Sequence, residues 1–286
     1  MSYRILTDSA CDFSLEMYEK LDLAYVPLCL NFRGGERRDL SEGFIKELYN
    51  AMRAGETAST AAINPTEWAA VMEPILVAGE DVLVLAFSSG LSTTYQSAVI
   101  AAQELREKYP ERKIYVVDTL CASRGQAMLV WQACKLRDEG KSLDELHAWC
   151  EDHKMNMCHW FTVDDLVYLK RGGRVSAATA LLGSMLNIKP VLHVDDEGRL
   201  VSVSKVRGRK ASIEALANKM GESALPGEND TVFICHGDCL EDAQYLEKLV
   251  KEKYGVKEVL TYYTGAVIGA HSGPGTLALF YWGEKR

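Results

Sequence analysis

The chain has 286 residues, 48% hydrophobic and 25% charged, enough to bury a substantial core without cross-links. A formal charge of −8 and a pI near 5.4 argue against nucleic acid as the main partner, because phosphate binding wants a basic surface. Eight cysteines with no secretion signal ahead of them read as free thiols in a reducing compartment, not as a disulfide framework.

The opening "MSYRILTDSACDF" has no basic region followed by a long apolar core, and no later apolar run approaches a membrane span. A cytoplasmic protein without stable membrane insertion is expected. "YRIL" predicts a strand ending in "TDSACD", "SLEMYEKL" a helix, and "LAYVPLCL" a strand. "SEGFIKELYNAMRAG" has the spacing of an amphipathic helix, N-capped by Ser41 and ending near Gly55. "NPTEWAAVMEPILVAG" predicts another, disturbed in its last turns by Pro74. "DVLVLAF" is a short continuous apolar run, the mark of a strand buried on both faces. A helix from Leu91 to about Tyr109 follows, then the strand "KIYVVD" and two helices over roughly Ser123 to Lys154.

The rhythm changes near residue 158. "IKPVLHVDDEGRLVSVSKVRG" predicts a hairpin turning at "DDEG", and "TVFICHG" with "DCLEDAQYLEKLVKEKYG" a strand and helix. The tail "VLTYYTGAVIGAHSGPGTLALFYWG" reads as strand, glycine-rich loop, strand. Two α/β domains are expected, 1–158 with a mostly parallel sheet carrying helices on both faces, and 159–286 with a mixed sheet.

In open α/β sheets ligands bind beyond the carboxyl ends of the strands. "TDSACD", "SSGLSTT" and "DTLCAS" all fall there. "LAFSSGLSTTYQSA", residues 85–98, carries seven hydroxyl side chains. Gly90 permits a tight turn, Leu91 opens a helix, and free N–H groups would converge with hydroxyls near Ser92 and Thr93. Such a place accepts a carboxylate or phosphate; ordinary helix capping is the plainer alternative. The nucleophile-elbow pattern is absent from "SSGLS", although Cys11 at a strand end or a serine activated from afar could serve a hydrolase or acyltransferase. No P-loop is present, "GPGTLA" lacks the third glycine of a dinucleotide loop, and no cofactor is implied. Cys150, His153, Cys158 and His159 lie close in "WCEDHKMNMCHW" but depart from zinc spacings, and no metal site is assigned. "KRGGR" offers Lys170, Arg171 and Arg174 around a turn. In "SKVRGRK", Lys205, Arg207 and Arg209 would share one face of a strand. Two basic clusters in an acidic chain point to an anionic ligand or partner.

"TDSACDF", "SSGLSTTYQSA", "VVDT", "VDDLVYLKRGGRVS", "LNIKPVL" and "VIGAHSGPG", in that order, resemble the DegV family of bacterial fatty-acid-binding proteins over nearly the whole chain. The resemblance implies two α/β domains with a long-chain fatty acid between them, held for a separate ATP-using kinase that phosphorylates its carboxylate. It implies no catalysis by the chain itself. Carried over, Thr60 and Ser92 would hydrogen-bond the carboxylate, with Thr93 and His271 close to it. Arg171, Arg174 and Arg207 would contact the phosphate or the kinase. The chain departs from the family where it has "TAAI" from Thr60 to Ile63, Thr93 for a usual glycine and Thr119 for a usual serine. These changes leave another amphipathic anion open as the ligand.

Overall fold

The computed structural model describes residues 2–38, 42–175 and 187–286. The first strands and helices are β1 (Tyr3–Asp8), α1 (Leu15–Lys20), β2 (Ala24–Val26), β3 (Cys29–Phe32), β4 (Gly35–Arg37), α2 (Glu42–Arg53) and β5 (Ala58–Ala61). Then come α3 (Pro65–Val77), β6 (Asp81–Ala86), α4 (Thr94–Lys108), β7 (Ile114–Asp118), α5 (Ser123–Asp138) and α6 (Leu143–His153). The remainder holds β8 (Met157–Thr162), α7 (Val167–Arg171), β9 (Ile188–Val194), β10 (Leu200–Arg207) and α8 (Arg209–Ser223). It closes with β11 (Thr231–His236), α9 (Leu240–Tyr254), β12 (Glu258–Tyr263), α10 (Ala266–Ser272) and β13 (Leu277–Trp282).

Strands β2-β1-β6-β7 form a parallel sheet, and β10-β9-β8-β13-β11-β12 a mixed one in which β11 and β12 run parallel. Side chains alternate along the parallel sheet and so serve two cores. Ile5, Leu83, Leu85 and Val117 share one with α5 and α6, whereas Leu6, Val82 and Val84 share the other with α2, α3 and α4. All six residues of β6 are buried, as its unbroken apolar run predicts. Met128 and Leu129 of α5 also share their core with Phe233 and Phe280, so α5 packs between the two sheets. The far face of the mixed sheet buries Trp160, Ile234 and Leu279 against α8 and α9.

Several local expectations change. "LAYVPLCL" splits at Pro27, which cannot donate to a ladder; β2 joins the parallel sheet and β3 pairs with β4 and β5 in a small antiparallel sheet. α4 begins at Thr94 instead of Leu91, because the N–H groups of Leu91 and Ser92 turn back to Ser88 O at 3.1 Å. α3 runs through Pro74 to Val77; both Pro74 and Ala70, whose carbonyl loses its partner, are exposed to water. β10 ends at Arg207, and Gly208 at φ +94° turns the chain so that Arg209 opens α8. Arg209 therefore leaves the face of Lys205 and Arg207 and pairs with Asp242 at 2.8 Å. The glycine-rich tail contains a helix, α10, where a loop is expected. Ser41, the expected cap of α2, lies outside the described residues.

Candidate ligand-binding site

A cavity of about 370 Å³ lies between the two sheets, within the range of small-molecule sites. Thr60, Ser92, Thr93, Arg174 and His271 all line it. β5 carries Thr60, placed by its pairing with Leu30 of β3. Its Oγ1 stands 2.7 Å from Nε2 of His271, the penultimate residue of α10. On the other side of the imidazole the chain closes in at Gly172, where an added β-carbon would collide with His271 Nδ1. That nitrogen is buried and has no hydrogen-bond partner among the described residues. Arg174 donates from Nε to Leu91 O at 3.2 Å and from a terminal nitrogen to Gly172 O, tying the "KRGGR" turn to the hydroxyl loop. Ser92 Oγ accepts from Thr94 N at 3.2 Å and shares a 2.8 Å hydrogen bond with Thr94 Oγ1. Ser92 thus caps the first turn of α4 and still faces the cavity, while Thr93 makes no side-chain cap.

The electrostatics favour an anion. Burial, reinforced by the nearby Arg174, pushes His271 down to about 4, so its ring is neutral at neutral pH. Arg174 keeps its charge despite a burial-driven lowering. Among the described residues lining the cavity none is acidic. With His271 Nε2 protonated and donating to Thr60, the Thr60 O–H is free to donate to a bound oxygen. Most of the remaining wall is apolar, with Leu28, Phe87, Phe161, Val194, Leu200 and Phe280.

The other expected contacts lie outside the cavity. Arg171 is exposed, its guanidinium 5.8 Å from the Tyr168 ring, and Arg207 is exposed at the end of β10. Cys11 is fully buried against Tyr18 Oη at 3.0 Å, with its thiol pushed up to about 12 by burial, the reverse of an activated nucleophile. Cys150 is buried in α6, His153 stacks on Trp149, and Cys158 donates to Lys285 O at 3.2 Å. Among the described residues no three metal-ligating side chains gather. Of the departures, Ala61 and Ala62 line the cavity, Ile63 is buried, and Thr119 donates to Ala86 O at 2.7 Å.

Sequence reasoning met His159 only as a metal candidate and missed Ser123, Cys235 and Thr264; all four also line the cavity. The signal for His159 was its spacing of two from Phe161, which puts both on one face of β8. His159 is buried and accepts from Ala122 N at 3.3 Å; burial drives it far below its ordinary value, so it is neutral.

A family model described as "Uncharacterised protein, DegV family" matches residues 2–284. The chain belongs to the DegV family. A DegV domain-containing protein of Clostridium perfringens is 44% identical over 99% of this chain and 98% of its own. Among solved structures, a DegV family protein from Thermus thermophilus, described for its fatty acid binding, has a TM-score of 0.88 and 33% identity. The match covers 99% of this chain and all of that one. A DegV lipid-binding protein from Thermotoga maritima has a TM-score of 0.86 and 29% identity, covering each chain completely. The α/β architecture of this DegV chain, with one parallel and one mixed sheet, is that of these neighbours. Among its described residues no helix is long and apolar enough to cross a membrane.

Proposed function

We propose that this DegV chain is a carrier, not a catalyst, that holds a long-chain fatty acid and presents its carboxylate to a separate ATP-dependent kinase. The observation that carries the reading is the Thr60–His271 pair beside Arg174, at an otherwise largely apolar cavity without an acidic residue among its described lining. Thr60 and Ser92 donate to the carboxylate, with Thr93 and His271 beside it. The tail occupies the space between the lobes 1–158 and 159–286. Burying a methylene gains about 0.8 kcal/mol, so about 14 of them gain roughly 11 kcal/mol before ordering costs. The tail therefore dominates affinity and the hydroxyls set direction. The binding reading is supported by the Thermus relative's described fatty acid binding. The kinase step rests on the sequence resemblance, with Arg174 reaching the phosphate and the exposed Arg171 and Arg207 meeting the kinase. A cytoplasmic location follows from that partnership.

Mass spectrometry of the freshly purified protein, native and then denatured, tests the proposal. A stoichiometric fatty acid released only on denaturation is the expected result. A protein that is empty and also refuses offered fatty acids refutes it, and a different amphipathic anion in the extract replaces the ligand class.

A further inference from the structure

The Thr60–His271 end of the cavity is its mouth, since Ala61, Ala62 and Thr93 there are exposed, and it accounts for one polar group on a ligand, yet a second polar cluster lines the same cavity. Thr264 Oγ1 donates to Cys235 Sγ at 3.1 Å, and Ser123 Oγ lies 3.5 Å from the same sulfur. Ser123 also donates to the buried carboxylate of Asp12. His159 adjoins them through Ala122, the residue before Ser123. Ser123, His159, Cys235 and Thr264 are at most 5% exposed. Ser123 is held at φ +52°, a left-handed conformation that a non-glycine residue adopts at a cost.

The cluster is set back from the carboxylate end. Thr264 immediately precedes the turn into α10, and His271 lies seven residues further on. Five helical steps from Ala266 to His271, at a rise of about 1.5 Å each, span about 7.5 Å of a wall that Val267, Ile268 and His271 line, and Thr264 lies two non-helical residues further back. A fatty acid anchored at Thr60 would bring the middle of its chain to Ser123 and Thr264.

Counting protons shows what the cluster can recognise. The hydroxyl protons of Ser123 and Thr264 are committed to Asp12 and Cys235, which leaves their oxygen lone pairs. With His159 Nε2 accepting from Ala122 N at 3.3 Å, its proton is on Nδ1 and goes to Met157 O at 3.0 Å. The cluster therefore offers acceptors to the cavity. Plain methylenes laid against it would leave those acceptors unpaired, whereas an O–H on the chain would satisfy one.

We infer that Ser123 and Thr264, backed by Asp12 and Cys235, form a second polar subsite that accepts a hydrogen bond from a hydroxyl carried near the middle of the acyl chain. The ligand class it favours is the long-chain hydroxy fatty acids, ahead of their plain and keto counterparts. The inference rests on the fatty-acid reading of the mouth.

The test uses the full chain stripped of lipid, titrated with octadecanoic, 9-, 10- and 12-hydroxyoctadecanoic and 10-oxooctadecanoic acids. One hydroxy isomer is expected to bind at least about fivefold tighter than octadecanoic acid, the size of one net hydrogen bond. The oxo acid should show no such gain. In Thr264→Val, and in Ser123→Gly, which suits a positive φ, the hydroxy-to-plain affinity ratio should fall to near one. Octadecanoic acid binding as tightly as every hydroxy isomer overturns the subsite and spares the mouth. A preference that survives both substitutions also overturns it. Failure of every acid to bind overturns the mouth reading, and the subsite with it.

Discussion

Thr60 Oγ1 and His271 Nε2 stand 2.7 Å apart across 211 residues of sequence, and the contact joins β5 to α10. A neutral imidazole has one proton to give. When it gives that proton to Thr60, the threonine passes its own outward, so the pair acts as one donor aimed into the cavity.

Thr60→Val keeps the side-chain shape and removes that donor. One hydrogen bond to a charged group is worth about 1.5–3 kcal/mol, so affinity for hexadecanoic acid should fall about 10- to 150-fold. Titration calorimetry on delipidated protein measures the loss, with the melting temperature as the control for folding. Equal affinity in the variant would remove Thr60 from the carboxylate site.

Gly172→Ala tests how the imidazole is held. Gly172 has φ −71°, so an alanine suits its backbone, and the nearest obstacle is the His271 ring, Nδ1 first. Forcing the ring aside should destabilise the protein by about 1–3 kcal/mol and weaken fatty acid binding together. Adding His271→Ala should return most of the lost stability in a double-mutant cycle. An innocuous Gly172→Ala would show that the ring is free to move.

The pH dependence of stability carries a sign set by His271. Its folded value is depressed to about 4 from an ordinary 6.5, so over that interval the unfolded chain holds a proton that the folded one refuses. Acidification from 6.5 to 4 therefore costs stability through this residue, roughly 2 kcal/mol allowing for its partial exposure, and raising the pH restores it. Asp8 and Asp12 work in the opposite direction. Burial raises both to about 6, so the stability they contribute is present at low pH and lost as the pH rises through 6. Comparing wild type with His271→Asn in urea at pH 7.5 and 4.5 isolates the histidine. The variant should gain relative stability at the lower pH, and parallel behaviour of the two proteins would refute the depressed value.

The parallel sheet was legible because β1, β6 and β7 are short apolar runs ahead of helical spacing, and burial on both faces demands such runs. α10 was not legible. Its sequence AVIGAHS sits among glycines that read as a loop, yet Gly269 lies inside a helix, and glycine stands there because the Tyr49 hydroxyl packs where a β-carbon would be. That hydroxyl also donates to Thr264 O at 3.0 Å, a contact no local pattern encodes. Likewise Thr60 and His271 were named together through the family resemblance, because no spacing rule links residues so far apart. His159 and Ser123 were missed as cavity residues for the same reason: the cavity they line exists only once α5 lies between the two sheets.

Gly125 offers a final check on that inner wall. In the first turns of α5, glycine to alanine ordinarily stabilises a helix by up to about 1 kcal/mol. Here the new methyl would collide with the His159 ring, which is 2% exposed and held at both nitrogens, so it has nowhere to turn. Gly125→Ala should instead destabilise the protein by about 1–3 kcal/mol, read from urea midpoints. His159→Ala alone also costs stability, through the space it leaves. The double variant should lose clearly less than the sum of the two, because the methyl moves into the vacated volume. Additive losses would mean that the helix and the imidazole do not touch.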